Sequence, residues 1–362
     1  MNTRSPHSEA PIRVMLIDDS AVARAHLTGE LSKVGMQVVA AASDPIEAWP
    51  LLPVLNPDVI VLDIDMPRMD GLSFLRQLMA QRPTPVVMCS SLTQNGRAIA
   101  IQAMNEGAVA VVGKPGSGGV LLPAAEVAQA LVDAVRVAAK AQPCRGSLPA
   151  VPLPNAVPSS AGASEHMARQ VIAMGLSTGG VQALTQVLKR LSPPLPGLLI
   201  VQHMPAEFTA SLAQQLNHDM PQLDVREAQD GDAVAPGRVL IAPGGKHMLL
   251  RGSLPRGWVV EITHTAAVNY HRPSVDVLFH SVAQAAGPQA IGVLMTGMGD
   301  DGAQGLLAMR QAGGRTAAQD EATSAVYGMP AAAAALQAAQ KILPLQEVAR
   351  WLMEQARGPT KA

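Results

Sequence analysis

Short aliphatic runs alternate with stretches of helical pattern along most of this chain, and this alternation limits its fold more than any other feature. The first five runs are IRVMLID (12–18), MQVVAAA (36–42), DVIVLDID (58–65), PVVMCSS (85–91) and VAVVGKP (109–115). A helical stretch follows each run, and the last of these is the Ala-rich segment around residues 124–141. Strand–helix units with short connections build parallel sheets. Residues 12–138 are therefore predicted to form a doubly wound, five-stranded (βα)5 domain of flavodoxin-like topology.

A segment rich in Pro, Ser, Gly and Ala interrupts this alternation at residues 142–167, with no period of 2 or 3.6 residues. Such a composition is typical of a linker, which we place at residues 139–168. A second parallel-sheet α/β/α domain is predicted over residues 169–357. Its expected strands are QVIAMGLS (170–177), GLLIVQHM (197–204), RVLIAPG (238–244) and AIGVLMTG (290–297), with a hairpin insertion at 248–252 and 258–263. Helices are expected near 180–191, 207–218, 274–286 and 302–312, followed by a C-terminal amphipathic helix.

The composition agrees with this fold class and excludes several kinds of protein. Hydrophobic residues make up 48 % of the chain but aromatic residues only 2 %, so both cores must be aliphatic, as in parallel sheets. A net charge of −1 with few aromatics argues against a nucleic-acid-binding surface. The polar N-terminal segment lacks the apolar core of a signal peptide, and no run approaches the ~18 apolar residues of a membrane span. The two cysteines, Cys89 and Cys144, form no disulfide framework, so a cytoplasmic protein is expected.

Five polar residues stand at the predicted carboxyl ends of strands in the first domain. Asp18 and Asp19 end the first strand, Asp63 lies near the end of the third, Ser90 ends the fourth, and Lys114 ends the fifth. Ligands of doubly wound sheets gather at this edge. Three carboxylates that meet there repel one another unless a hard cation such as Mg²⁺ binds them. Each residue alone could equally be a surface charge or a helix cap, but five at matching strand ends favour a magnesium-dependent phosphoryl site.

In the second domain, residues Gly175–Gly180 read G-L-S-T-G-G between an apolar strand and a predicted helix. This fits the G-x-S-x-G nucleophile elbow, in which a serine stands beside exposed amides at a helix N-terminus. Turns of small residues are common after strands, and many of them only bind phosphate. The pattern therefore makes Ser177 a candidate nucleophile that needs partners from elsewhere in the chain.

A nucleophilic serine needs a base and an acid that orients the base. His203 is the best placed of nine histidines because it ends the strand that follows the serine's helix, whereas His247 and His271 are rivals. The strand AIGVLMTG is followed by two adjacent acids. We favour Asp301 over Asp300 because Asp301 can open the following helix with its side chain turned back toward the site. Asp301 could also serve only as a helix cap.

Glycines around these acids leave backbone N–H groups bare, and those groups could form an oxyanion hole with the amide near Thr178. The chain order Ser177, His203, Asp301 differs from the serine, acid, histidine order of α/β-hydrolases. The turn also lacks the G-x-G-x-x-G pattern of dinucleotide-binding domains. A serine hydrolase on another α/β fold is therefore predicted.

The first domain resembles the response-regulator receiver family through the strings LIDDS, VLDIDMPRMDG, VVMCSSLT and KPG. The resemblance implies a phosphoacceptor, a metal-binding acidic pair, a switch hydroxyl and a lysine, matched here by Asp63, by Asp18 and Asp19, by Ser90 and by Lys114. It also implies Mg²⁺ at this site and a histidine kinase as phosphodonor. Val111 stands where many receivers have a switch aromatic residue, which leaves the conformational relay of this chain unassigned.

The second domain resembles the CheB-type methylesterase family through GLSTGG, VQHMP, APGGKHM, HRPSVDVLF and LMTGMGDDGA, in the family's order. The resemblance implies Ser177 as nucleophile, His203 as base, Asp301 as its partner, and an oxyanion donor at the Met298 backbone beside Thr178. It implies no cofactor at the esterase site. A receiver joined to this domain implies hydrolysis of glutamyl methyl esters on the cytoplasmic helices of chemoreceptors, activated by phosphorylation, with deamidation of glutamine as a second activity.

Three other interpretations remain open at this point. The chain could be a receiver-controlled serine hydrolase or amidase that acts on another substrate. It could also be a phosphorylation-switched binding module whose catalytic residues no longer work, although every required residue type is present. A DNA-binding response regulator is disfavoured because the second half is too long and too rich in α/β pattern to be a helix-turn-helix domain.

Overall fold

The structure is a computed structural model that describes residues 10–90, 93–114, 124–142 and 161–357. The chain divides into two compact units, Met1–Gly96 with Ala108–Pro143 and Arg97–Gly107 with Cys144–Ala362. Most of the predicted linker lies outside the described residues. Its last part forms the short helix α7 (Ala161–Ala168). Within the described part of the chain, no helix is both long enough and apolar enough to cross a bilayer.

The first unit is built on a five-stranded parallel sheet in the order β2-β1-β3-β4-β5. The strands are β1 (Arg13–Ile17), β2 (Gln37–Ala42), β3 (Val59–Asp63), β4 (Val86–Ser90) and β5 (Ala110–Gly113). The helices that alternate with them along the chain are α1 (Ala21–Lys33), α2 (Pro45–Ala48), α3 (Leu52–Leu55), α4 (Gly71–Gln81), α5 (Gln94–Asn105) and α6 (Ala124–Ala138). This strand order is the flavodoxin-like one, so the predicted fold of this unit is confirmed.

The helix expected after β2 is divided into short pieces. Asp44 begins α2 by accepting hydrogen bonds from the amides of Ile46 and Glu47. A 3₁₀ turn over Trp49–Leu51 then separates α2 from α3. Pro50 lies in that turn and Pro53 in α3. Proline has no N–H to donate and its ring crowds the preceding turn, which explains why one continuous helix does not form here.

The second unit is built on a seven-stranded parallel sheet in the order β14-β13-β12-β6-β7-β9-β8, with a separate antiparallel hairpin of β10 and β11. The strands are β6 (Val171–Leu176), β7 (Gly197–Gln202), β8 (Asp224–Glu227), β9 (Arg238–Ile241), β10 (His247–Ser253), β11 (Gly257–Thr263), β12 (Ala290–Leu294), β13 (Arg315–Gln319) and β14 (Lys341–Leu343). The helices are α8 (Gly180–Leu188), α9 (Ala206–Asp219), α10 (Val275–Ala286), α11 (Ala303–Gln311), α12 (Met329–Ala335) and α13 (Leu345–Arg357).

The predicted parallel sheet, hairpin insertion and C-terminal helix are all present, but the sheet has three strands that the sequence did not indicate. These are β8, β13 and β14. Strand β13 is almost fully buried, yet its sequence RTAAQ has no run of large aliphatic residues. The other two lie at the edges of the sheet, and β14 has only 3 residues. Short edge strands and strands of small residues lack the hydrophobic pattern from which strands are predicted.

The strand order of this sheet reverses beside β6, and the reversal creates the site. The chain runs outward from β6 through β7 to β9 and β8, then returns to β12 on the other side of β6. The connection after β6 leads to β7 on one side, whereas β12 on its other side comes from later in the chain, so β6 and β12 flank a switch point, where a crevice forms at the carboxyl ends of such strands. Ligands of open α/β sheets bind at such switch points.

Candidate active site

The acidic residues of the first unit meet at the carboxyl edge of its sheet, as the strand ends predicted. Carboxylate oxygens of Asp18, Asp19 and Asp63 all lie within 4.8 Å of one another, with Asp18 and Asp63 buried and Asp19 exposed. The Lys114 ammonium lies 2.6 Å from Oδ2 of Asp63 and 3.2 Å from Oδ2 of Asp18. Three carboxylates meet beside the ammonium of Lys114, so negative charge is in excess among these four groups. Their oxygens are the ligands that a hard divalent cation takes.

The charges of this cluster shift the pKa values of its members. Burial raises the pKa of Asp63, the Asp18 charge adds to this effect, and the opposing Lys114 ammonium does not fully offset it. Burial alone would lower the pKa of Lys114, but the two carboxylates outweigh it, so the pKa is raised and the ammonium stays charged.

Ser90 lies at the end of β4, where its hydroxyl donates a 3.2 Å hydrogen bond to the carbonyl oxygen of Gly96.

In the second unit, Ser177 follows β6 on a tight turn that is held against the segment after β12. The Ser177 amide donates to the carbonyl of Thr296 at 2.9 Å, and the Thr296 hydroxyl donates to the carbonyl of Thr178 at 2.9 Å. Gly179 has a φ of 73°, and a Cβ added there would collide with the side chain of Ala325. Only glycine combines this left-handed conformation with so close a neighbour.

His203 follows β7 and is tied to the serine turn through its backbone. Its amide donates to the carbonyl of Leu176 at 2.9 Å. The side-chain amide of Gln202 donates to the carbonyls of both Ser177 (2.8 Å) and His203 (3.0 Å). One buried side chain therefore joins the candidate nucleophile and the candidate base, a role for Gln202 that no local sequence pattern indicates.

Among the described residues, one ring nitrogen of His203 makes a hydrogen bond and the other makes none. Nε2 lies 2.9 Å from Oδ2 of Asp301. Nδ1 is buried and has no hydrogen-bond partner among the described residues. Because a carboxylate can only accept, Nε2 carries a proton, and in the neutral form of the ring Nδ1 would bear the free lone pair. The Ser177 hydroxyl likewise makes no hydrogen bond within the described part of the chain. The structure therefore joins His203 to Asp301 but shows no hydrogen bond between His203 and Ser177 in that part.

Asp301 is the most heavily hydrogen-bonded carboxylate of the site. Oδ2 accepts from the His203 ring and, at 2.7 Å, from the Val275 amide. Oδ1 accepts from Asn269 Nδ2 at 2.9 Å, from the Ser274 hydroxyl at 2.8 Å and from the Asp276 amide at 3.3 Å. Burial would raise the pKa of Asp301, but hydrogen bonds and charge from His203, with those from Asn269 and Ser274, lower it to about 2. The group is therefore ionised at neutral pH.

The expected position of Asp301 at the start of its own following helix is wrong. Gly302 occupies the N-cap of α11, while Asp301 accepts hydrogen bonds at the N-terminus of α10. Helix N-termini favour negative charge, which gives this buried carboxylate a second source of stabilisation. The alternative acid, Asp300, is exposed to solvent.

The two rival histidines have different positions. His247 is fully buried, with Nε2 3.0 Å from the Ala266 carbonyl and Nδ1 accepting from the Ser274 amide at 3.2 Å, so both of its nitrogens hold the fold together. His271 stacks on the His203 ring, with ring centroids 3.8 Å apart. Burial and the neighbouring His203 lower the pKa of His271 to about 4, so its ring is neutral beside the candidate base.

The predicted oxyanion donors lie on the two turns that border the crevice. Thr178 precedes α8, and Met298 lies between two glycines beyond β12. Among the described residues, no hydrogen bond leaves the amide of either one. A Cβ at Gly297 would come within 2.6 Å of Cβ of Ser177, so a glycine there lets the second turn approach the serine. An oxyanion hole at Ser177 would need two such amides that make no hydrogen bond within the described residues.

Comparisons with known proteins find a family for each half of the chain. The family model for the CheB methylesterase matches residues 172–352, and that for the response regulator receiver domain matches residues 14–126. A protein-glutamate methylesterase/protein-glutamine glutaminase from Xanthomonas campestris is 50% identical, covering 94% of this chain and 99% of the relative. One from Anaeromyxobacter dehalogenans is 51% identical and covers 93% of each chain. The CheB methylesterase catalytic domain of Thermotoga maritima is 34% identical, with a TM-score of 0.50 over 51% of this chain and 98% of that structure.

Proposed function

Because this chain belongs to the CheB protein-glutamate methylesterase family, we propose that it hydrolyses glutamyl methyl esters on the cytoplasmic helices of chemoreceptors under control of its receiver domain. The observation that carries the proposal is the buried His203–Asp301 pair. Nδ1 of His203 has no hydrogen-bond partner in the described ranges, and His203 follows the strand next to the one that leads into the Ser177 turn. The reaction is inferred from the names of the relatives, and the roles of Ser177, His203 and Asp301 are inferred from their positions in the site.

In the proposed reaction, the Ser177 hydroxyl attacks the γ-carbonyl carbon of the glutamyl ester, and Nδ1 of His203 takes the hydroxyl proton. The imidazolium that forms is stabilised by ionised Asp301. The amides of Thr178 and Met298 donate to the oxygen of the tetrahedral intermediate. Collapse of the intermediate breaks the bond to the methoxy group, which leaves as methanol with the proton from His203. A water molecule, deprotonated by His203, then releases glutamate and restores the serine.

The same sequence of steps on a glutamine side chain releases ammonia instead of methanol. The leaving nitrogen needs a proton from the His203 imidazolium, which the site supplies in the same geometry. The relatives' names include protein-glutamine glutaminase, and we propose deamidation as the second activity of this chain.

Regulation is proposed to begin at the acidic cluster of the first unit. Mg²⁺ held by Asp18, Asp19 and Asp63 would neutralise charge on a phosphoryl group that a chemotaxis-type histidine kinase transfers to Asp63. The phosphoryl group brings new acceptor oxygens to Ser90 and Lys114 and reorganises the receiver. We propose that the unphosphorylated receiver restrains access of large substrates to the esterase site and that phosphorylation relieves this restraint. Because these proposed partners act in the cytoplasm, we propose that the reaction occurs there.

The test is methanol release from methylated receptor by the full-length protein, with a small-molecule phosphodonor added or withheld. We expect the donor to increase the rate, and the Asp63→Asn variant to lose that increase while keeping the unstimulated rate. The Ser177→Ala variant should lose at least a thousandfold in kcat. If wild-type protein reacts at Ser177 with an active-site-directed serine reagent but releases no methanol, it is a hydrolase for another substrate. If the reagent labels nothing, the binding-module interpretation is correct.

A further inference from the structure

A two-residue turn lies directly beside the catalytic pair. The amide of Val268 donates to the carbonyl of His271 at 3.1 Å, and the His271 amide donates back to Val268 at 2.9 Å. The two central residues, Asn269 and Tyr270, have φ values of 52° and 64°. A tight turn with positive φ at both central positions strongly favours Asn followed by Gly. This turn has the favoured asparagine but a tyrosine in the glycine position.

The three successive side chains from Asn269 to His271 have different surroundings. Asn269 donates to Asp276 at 2.8 Å and to Asp301 at 2.9 Å. His271 stacks on the ring of His203. Tyr270, between them, is 100% exposed. The turn is therefore fixed on both sides to the catalytic residues, and it holds the tyrosine ring in solvent at the edge of the crevice.

Tyr270 has no folding advantage at this position. Side chains with a Cβ rarely adopt left-handed backbone conformations, and when they do the conformation is costly unless contacts compensate it. A fully exposed ring gains no such contacts. Scattered exposed aromatic residues are ordinary, but strained ones that adjoin a catalytic site are typical of functional positions. A tyrosine at this position is therefore better explained by contact with a binding partner than by a contribution to folding.

The surroundings of Tyr270 indicate which partner would contact it. Val268 of the same turn and Met298, which follows Gly297 beside Ser177, are also exposed, by 37% and 41%. Apolar groups are therefore accessible near a polar reacting centre. Ser177 is itself only half-buried. A glutamyl side chain can therefore reach the serine while the helix that bears it stays outside, and the turn that carries Tyr270 is fixed to Asp301 and His203 of the same site. Tyrosine is enriched at protein interfaces because it offers a large, rigid ring with a polar tip.

We propose that Tyr270 is a specificity-determining contact that packs on the receptor helix beside the reacting glutamyl group. It favours esters presented on a helix over small free esters. The inference rests on the proposed function and adds to it the surface that recognises the protein part of the substrate.

The test compares two substrates of the phosphodonor-treated full-length protein: methylated receptor and 4-nitrophenyl acetate. Tyr270→Gly should lower the ratio of kcat/KM for receptor to that for the small ester about tenfold, the loss typical of an aromatic interface contact. Tyr270→Phe keeps the ring and should keep the ratio within about twofold. Because glycine relieves the backbone strain, the Tm of Tyr270→Gly should equal or exceed that of the wild type, which separates lost recognition from lost folding.

Gln337→Gly is the matched control. Gln337 is an exposed residue of the same unit with a φ of 53°, so this change also relieves left-handed strain and should leave the ratio unchanged. An unchanged ratio in Tyr270→Gly would overturn the inference while leaving the esterase proposal intact. A rise in receptor turnover by unphosphorylated Tyr270→Gly would also overturn it, because Tyr270 would then contribute to inhibition by the receiver domain and not to binding of the receptor helix. Absence of methanol release by wild-type protein would instead refute the proposed function.

Discussion

Asp301→Asn is the substitution whose effects the structure defines most closely. The carboxylate accepts from two donors at Oδ2 and from three at Oδ1. An amide has one accepting oxygen and one NH₂ group, so in either orientation its NH₂ faces at least two donors. With the NH₂ toward His203, the imidazole can restore a hydrogen bond only by accepting at Nε2. Its proton then moves to Nδ1, and the ring loses the lone pair that the Ser177 hydroxyl needs.

The expected loss of stability can be worked out from the pKa of this group. Asp301 is 1% exposed, and its pKa is lowered from an ordinary value of 3.8 to about 2. At ~1.4 kcal/mol for each pKa unit, the ionised carboxylate contributes about 2 kcal/mol to folding. Because the folded-state pKa is the lower one, this contribution is present above pH 3.8 and is lost as the pH falls toward 2. Donors left without an acceptor add about 1–3 kcal/mol.

We therefore expect the variant to be less stable than wild type by about 3–5 kcal/mol at pH 7, and the difference to shrink near pH 2–3. The kcat should fall about 10³–10⁴-fold, since the base is held in the wrong tautomer. Unfolding of the second unit can be followed by fluorescence in a Trp49→Phe background, where Trp258 and Trp351 are the remaining tryptophans. Methanol release gives kcat in the same samples.

Asp300→Asn is the matched control, since its side chain is exposed on the neighbouring residue and should change neither measurement. Near-normal kcat in a folded Asp301→Asn protein would refute the assignment of the base and its tautomer. A stability difference that stays constant between pH 7 and pH 2 would refute the origin assigned to the lowered pKa.

Three further substitutions test other parts of the molecule. Gly179→Ala should destabilise the second unit by about 1–3 kcal/mol beyond the effect of Gly231→Ala in denaturant unfolding. The reason is that Gly231 has a similar φ of 82° but open space around its Cα. Gln202→Met should lower kcat about 10–100-fold with little change in KM and an unchanged circular dichroism spectrum, because the serine and histidine turns lose their shared donor. Lys114→Met leaves buried carboxylates unpaired, so the Tm of the first unit should fall, and added Mg²⁺ should raise it more than in wild type. An equal Mg²⁺ effect in both proteins would argue against a cation site there.

Much of the architecture could be predicted because its signals are local. Aliphatic runs predicted the five strands of the first sheet and the central strands of the second, and the polar residues at their ends indicated both sites. Asp18, Asp63 and Lys114 meet because parallel strands bring their carboxyl ends to one edge. The same reasoning placed Ser177 and His203 on neighbouring strands. Strands such as β13, which is built from small residues, gave no comparable pattern.

The sequence alone determined which residue types stand at the strand ends and therefore which chemistry the chain can perform. Only the tertiary structure decided how those residues are connected: Asp301 accepts from α10 and not from its own helix, Nδ1 of His203 makes no hydrogen bond to any residue that the structure describes, and Tyr270 stands exposed on a strained turn. Residues His203 and Asp301 are 98 positions apart. Contacts over such separations depend on how helices and sheets pack, and no local period in a sequence encodes them.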